Sequence, residues 1–403
     1  MKLSQLSILF ILLFIHSFVQ ANPLKVGSWM GNLNLQNTHE LNFQFEVDPN
    51  QKITIKNGGE IVEMKDYQIE NDSIKVYFTN FPNYLIFKVD PLNENKLSGY
   101  FVNPDRKKHS RIEFKAFFYD DTPVIDIRYK HENFDGKWQV TFNPNTEDQY
   151  PAIGKFEQVN NKITGTFLTE TGDYRFLKGT VINNELWLTS FDGAHVFLFT
   201  AHLINDTLRG EFLSGNHWKT DWIGVRNDDF TLKDPDSLTY MVKDDFKFQF
   251  KNLNGQNYVY PNQQLKGKVV IVQILGTWCP NCLDETKFYN ELYDQFHNDG
   301  LEIIGVAYES PENFEDQVER IQRYIDNKSV PYPILVGGRA SKTITSKDFD
   351  MLNKVSSFPT SIFINKDGEV VKIHTGFNGP GTGEIYEEYK IETIQMINRL
   401  LIE

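Results

Sequence analysis

Two cysteines occur in 403 residues, and they stand three apart in Gly276-Thr277-Trp278-Cys279-Pro280-Asn281-Cys282. The run before them, Lys268 to Leu275, is apolar but for Lys268 and Gln273, as expected for a strand buried on both faces. The residues after them read as a helix from Cys279 to about Asn298. Strand, cysteine pair and helix in that order place both sulfurs on the first turn of the helix. Its free N–H groups and dipole favour a thiolate at Cys279. The loop that the pair closes is so small that a disulfide there gains little chain-entropy stabilisation, so it can be opened and reformed. Cys279, the more exposed N-terminal member, is the expected nucleophile, and Cys282 the thiol that resolves a mixed disulfide. A zinc site needs four ligands. The chain has no other cysteine, its nine histidines include no His-x(3–5)-His pair, and His297 stands alone on the helix. Thiol redox chemistry is therefore expected, with no metal and no cofactor beyond the redox-active pair Cys279–Cys282.

The rest of the C-terminal half alternates strands and helices. Strands are expected at Phe246–Phe250, Leu301–Ala307 and Tyr332–Val336, and a hairpin at Ser361–Ile364 and Glu369–His374. Helices are expected at Pro311–Ile325, with Pro311 at the first helical position, and at Glu384–Leu401. This alternation predicts a central sheet covered by helices. The glycine-rich stretch Gly376–Gly383 lacks the Lys-Ser/Thr of a phosphate loop and reads as a loop with a packing role near the active face.

The N-terminal half differs. From Trp29 to Val225 short stretches such as Leu41–Val47 and Ile74–Phe78 alternate apolar and polar residues between Asn, Asp and Gly turns, which reads as antiparallel β. Gly27-Ser28-Trp29-Met30-Gly31 recurs as Gly136-Lys137-Trp138-Gln139-Val140, and Leu97-Ser98-Gly99-Tyr100-Phe101 as Leu208-Arg209-Gly210-Glu211-Phe212. The offset of about 110 residues points to a duplicated barrel or sandwich, each copy resembling a lipocalin-like or calycin-like meander. Trp29 and Trp138 read as core anchors, and His109, His195, His202 and His217 as ordinary strand or turn residues. The expected organisation is a signal peptide over 1–21, β copies over 22–128 and 129–228, a linker over 229–243, and an α/β domain over 244–403. The signal rests on Lys2, the apolar run Leu6–Val19 and the small residue Ala21. It places the chain outside the cytoplasm, most simply in a periplasm, with an uncleaved signal as the membrane-anchored variant. The net charge of −13 comes with no basic block, which argues against nucleic acid and anionic membrane surfaces as partners.

Residues 240–403 resemble the thioredoxin superfamily, and more closely the exported TlpA/ResA-type thiol-disulfide oxidoreductases. The resemblance rests on Trp278-Cys279-x-x-Cys282-x-x-Glu285, on Phe358-Pro359-Thr360 before a strand, and on Asp367-Gly368 in a hairpin. It implies a cis Pro359 against the cysteine pair, with the Phe358 backbone open to an extended substrate segment. It implies that Glu285 raises the thiol pKa values and carries the proton of Cys282. Thioredoxin itself has a buried Asp six residues before the first cysteine. Gln273 stands in that place here, so proton handling is expected to move from strand to helix. Trp278, Pro280, Asn281, Phe358, Pro359 and Thr360 would position substrate, with Trp278 shielding one side and Thr277 adding polar contacts. The family has Pro directly before the second cysteine, where this chain has Asn281, and this dipeptide tunes thiol pKa and potential. The implied function is reduction of disulfides in exported proteins, for which apocytochrome c is the family precedent, with a membrane thiol-disulfide electron donor as second partner. Alternatives are a disulfide oxidase or isomerase, and a binding protein whose β half holds a ligand or partner. A peroxidase would want a threonine three residues before the reactive cysteine, where Gly276 stands. Recruitment of substrate or dimerisation is the economical role for the β half.

Overall fold

The computed structural model describes residues 24–70, 72–119 and 132–403. The apolar N-terminal run read as a signal lies outside the described residues, as does the junction between the two β copies at 128/129. Gly27–Asn34 to Arg111–Phe118 form one nine-stranded antiparallel sheet, and Gly136–Phe142 to Trp218–Arg226 a second with the same meander order. In each, the first strand pairs with both the second and the last. The second sheet closes into a barrel, because Lys162–Thr169 pairs with both Tyr150–Val159 and Leu177–Ile182. The first sheet has no such ladder between Glu60–Glu63 and Gln68–Glu70; its two ends meet only at an isolated bridge between Met64 and Phe78. Phe191 of the barrel packs into the core of this sheet, against Phe43 at 4.4 Å, Phe101 at 5.3 Å and Phe78 at 5.5 Å between ring centres.

The repeated tryptophans occupy equivalent places. Trp29 and Trp138 are fully buried, and each indole N–H donates to a carbonyl four residues upstream, of Lys25 and Phe134, at 2.9 Å. The barrel interior is filled by rings, among them Phe142, Phe167, Phe199, Phe212 and Trp222. Phe199 and Phe212 stack at 4.2 Å. Side chains thus occupy the space where a larger barrel holds a ligand.

The C-terminal domain has a seven-stranded mixed sheet. Its inner strand Val269–Leu275 runs parallel to the middle strand Leu301–Glu309 on one side and antiparallel to Thr360–Ile364 on the other. All seven residues of Val269–Leu275 are buried, because their side chains alternate between two apolar cores, one on each face of the sheet. Helices span Pro280–Phe296, Phe314–Lys328, Lys342–Asp348 and Glu384–Ile402. The expected helix start at Pro311 is corrected to Phe314. Asn313 caps it by accepting from the Asp316 N–H at 2.8 Å, leaving Pro311 outside the first turn. The strand Asn257–Tyr260 and the helix Lys342–Asp348 are additions, each too short to show periodicity. The polar stretch read as a linker lies on this domain: Asp236 pairs with His374 at 2.6 Å and Lys372 at 2.8 Å.

One side chain joins the two β sheets to the cysteine helix. Arg175 is buried, and its guanidinium reaches Glu60 of the first sheet at 2.8 Å and Asp192 of the barrel at 2.6 Å. It also grips Asp284, on the helix carrying the cysteines, with two bonds of 2.8 and 3.2 Å. Burial opposes ionisation of Asp192, but His195 and Arg175 outweigh it and hold the carboxyl well below the usual range. A second clamp is bidentate, from Arg320 of the C-terminal domain to Asp105 of the first sheet. Removing a buried cation strands its carboxylates. Arg175→Met is therefore expected to cost about 3–5 kcal/mol in urea unfolding, and a loss below about 1 kcal/mol, the value of a surface pair, would show that the clamp is not holding the sheets together.

Candidate active site

The buried strand ends at Leu275, and Gly276 to Trp278 turn the chain into the helix. Trp278 folds back: its indole N–H donates to the Tyr308 carbonyl at 2.9 Å, and its ring meets Phe358 edge-on at 5.7 Å. That position leaves no room at Gly276, where a β-carbon would come within 2.4 Å of the indole nitrogen. Cys279 is the N-cap of the helix, and its sulfur accepts from the Cys282 N–H at 3.3 Å. Pro280 takes the first helical position, where a missing N–H costs nothing. Cys279 is 6% exposed and Cys282 not at all. The Cys279 thiol donates to the Phe358 carbonyl at 3.4 Å, and the Phe358–Pro359 bond is cis. Thr360 does not reach the pair. It is buried at the head of its strand, and its hydroxyl donates to the Ser357 carbonyl at 2.9 Å.

Glu285 lies one turn past Cys282 and is fully buried. Gln273 donates to one carboxylate oxygen at 2.8 Å; Ser361, at 2.9 Å, and Tyr289, at 3.3 Å, donate to the other. Burial pushes its pKa up to about 7, against the pull of these hydrogen bonds. The Cys282 thiol is also pushed well up, by burial first, then by Cys279, with the charge of Glu285 adding to it. Gln273 and Glu285 thus form one pair behind the sulfurs.

Sequence reading missed three polar groups here. Ser361 is one. Glu309, at the end of Leu301–Glu309, is fully buried and accepts from the Thr277 N–H at 2.9 Å and the Thr277 hydroxyl at 2.7 Å. Burial pushes it, too, up to about 7. Its position at the carboxyl end of a central strand, where sites of α/β sheets gather, was the available signal. The third is Asp173, from the β barrel. Asn281, between the two cysteines, donates to the Asp173 carbonyl at 3.1 Å, its carboxylate at 3.0 Å and the Phe377 carbonyl at 3.0 Å. Asp173 also accepts from the Gly379 N–H at 3.0 Å, which gives the glycine-rich loop its contact with the active face. Burial raises Asp173 to about 6. Among the described residues no group of three or more His, Cys, Asp or Glu side chains is arranged to hold a metal ion.

The raised pKa of Glu285 has a thermodynamic consequence. Its folded value of about 7 exceeds the ordinary 4.5, so the native carboxyl keeps a proton that the unfolded one has lost. The stability it contributes is complete below pH 4.5, falls as pH rises towards 7, and is constant above. Glu285→Gln removes this slope. The stability of the variant relative to wild type should rise by about 3 kcal/mol between pH 4 and pH 8 in paired urea titrations; parallel pH profiles would contradict the assignment.

Residues 242–373 match the model of the AhpC/TSA family. The thiol-disulfide oxidoreductase ResA of Halalkalibacterium halodurans is 30% identical over 131 residues, which are 32% of this chain and 65% of that relative. The sporulation thiol-disulfide oxidoreductase A of Bacillus subtilis is 26% identical over 145 residues, 36% of this chain and 78% of that one. The crystal structure of StoA from Bacillus subtilis aligns with a TM-score of 0.26 and 24% identity, over 36% of this chain and 96% of that one. The chain thus spans 64–65% of the length of the first curated relatives that it matches. Over residues 242–373 the chain thus carries an AhpC/TSA-type, thioredoxin-like domain, in which a cysteine pair opens a helix after a buried inner strand of a mixed sheet.

Proposed function

We propose that the chain is an exported thiol-disulfide oxidoreductase that reduces disulfides in extracytoplasmic proteins. The observation that carries this reading is the asymmetry of the pair: Cys279 caps the helix beside the Phe358 carbonyl, and Cys282 is sealed behind it with Glu285 one turn away. The names of the similar proteins support the same chemistry. In the reaction, the Cys279 thiolate attacks one sulfur of a substrate disulfide, and the other leaves as a thiolate that takes a proton from water. Cys282 then gives its proton to ionised Glu285 and attacks Cys279. The second substrate sulfur leaves, and a Cys279–Cys282 disulfide remains, two electrons poorer. A carboxyl with a pKa near 7 is matched to accept and return such a proton at neutral pH.

A membrane thiol-disulfide donor would return the two electrons. No helix among the described residues is long and apolar enough to cross a membrane. Peroxide reduction fits less well. The hydroxyl wanted three residues before Cys279 has no place at Gly276, where Trp278 fills the space. An oxidase would draw its force from a stabilised thiolate. The buried Glu285 and the raised Cys282 act in the opposite sense.

Equilibration of the mature protein in dithiothreitol buffers gives the reduction potential. A value at or below about −270 mV is expected, and one near −120 mV would make the chain a disulfide-introducing enzyme instead. In parallel, Cys282→Ser should accumulate a mixed disulfide through Cys279, and Cys279→Ser should not.

A further inference from the structure

The barrel does more than dock on the thioredoxin-like domain. Its strand end at Thr169 and the hairpin that follows lie against the redox face. The Ser357 hydroxyl donates to the Thr171 carbonyl at 3.2 Å, and Asn281 is held by Asp173. Gly172 seats so closely that a β-carbon there would come within 2.9 Å of the Phe377 carbonyl oxygen. Between this hairpin and the cysteine helix lies a cleft of about 410 Å³. Tyr150, Thr171, Tyr174 and Phe197 line it from the barrel, Asn281 and Phe358 from the redox domain. Those last two flank the nucleophile: Asn281 is two residues from Cys279, and the Phe358 carbonyl accepts its thiol.

The chemistry of the walls narrows the occupant. Most polar groups of the lining are already paired, and Glu170 at its edge faces Lys233 at 3.5 Å. The Tyr150 and Tyr174 hydroxyls share a hydrogen bond of 2.9 Å, and the Thr169 hydroxyl donates to the Gly172 carbonyl at 2.7 Å. His195 is paired with Asp192 at 3.0 Å. Beyond Glu170, the surface on offer is mainly that of the rings. A volume at the lower end of the 300–1,000 Å³ range of small-ligand cavities suits one or two side chains and excludes a folded domain.

The geometry points to a substrate site shared between the two halves: the cleft receives the large apolar side chain next to the reacting cysteine of an extended, disulfide-bearing peptide segment. This rests on the thiol-disulfide reading above. It makes the barrel hairpin a selector of substrate rather than a remote anchor, since the substrate cysteine must sit at Cys279 while its neighbour enters beside Phe358.

The test is a single-turnover assay of the reduced full-length protein with two disulfide-linked peptides, one with Phe and one with Gly beside the cysteine. Each rate is normalised to reduction of the same peptide by dithiothreitol. Wild type should prefer the Phe peptide by about tenfold or more, the discrimination usual for an apolar pocket. Thr171 is exposed, so Thr171→Trp fills the cleft mouth without disturbing a core, and it should bring the ratio towards one. Equal normalised rates in wild type, or an undiminished preference in Thr171→Trp, would overturn the shared site while leaving the redox reading intact. The wild-type ratio decides even where the variant does not fold. Reduction of neither peptide would overturn the redox reading, and the shared site with it.

Discussion

A single buried guanidinium sets the arrangement of the three sheets. Arg175 has carboxylates from the half-barrel, the barrel and the cysteine helix around it, and none can leave without stranding charge in a water-poor interior. An apolar interface tolerates sliding. A fork of five N–H donors facing three carboxylates does not, because each bond fixes a direction as well as a distance. Arg175 itself sits at a φ of 56°, an uncommon conformation for a non-glycine residue. Its N–H is held by the Asp173 side chain at 2.8 Å. The residue that clamps the sheets and the residue that holds Asn281 are thus two apart in one hairpin. The same few residues orient the domains and complete the wall beside the cysteines.

The redox site shows how burial assigns roles to ordinary side chains. Glu285 and Glu309 are both carboxylates without a cation in contact, and both are pushed to about 7 because desolvation outweighs their hydrogen bonds. Their partners differ. Glu309 accepts from Thr277 and so fixes the turn that presents Cys279. Glu285 is ringed by Gln273, Ser361 and Tyr289 behind Cys282. One carboxyl holds the backbone of the turn, and the other lies buried one helical turn behind Cys282.

Much of this site was legible in the chain because its residues are close in sequence or fixed by local geometry. The cysteine pair, Trp278 and Glu285 lie within one strand–helix junction, and the apolar run before them could only be a strand buried on both faces. The Gln273–Glu285 pair was legible as a substitution of place, a neutral residue on the strand facing a carboxylate on the helix. Helix ends were less legible. Capping by Asn313 displaced the start expected at Pro311, since a side-chain acceptor at the N-cap outweighs the tolerance of proline for the first turn.

The sequence alone determined that two β repeats precede an α/β redox domain, since period-two alternation, the repeated Trp29 and Trp138, and the strand–Cys-x-x-Cys–helix order are local patterns. Only tertiary structure decided that one repeat closes with a full ladder and the other does not, and that Phe191 of the barrel packs among the rings of the half-barrel. Only it brought Glu60, Asp192 and Asp284 to Arg175, and Asp173 to Asn281. The physical reason is the same in each case. Partners 17 to 115 residues apart share no periodicity, and their pairing is fixed by the desolvation of groups that no local pattern marks as buried.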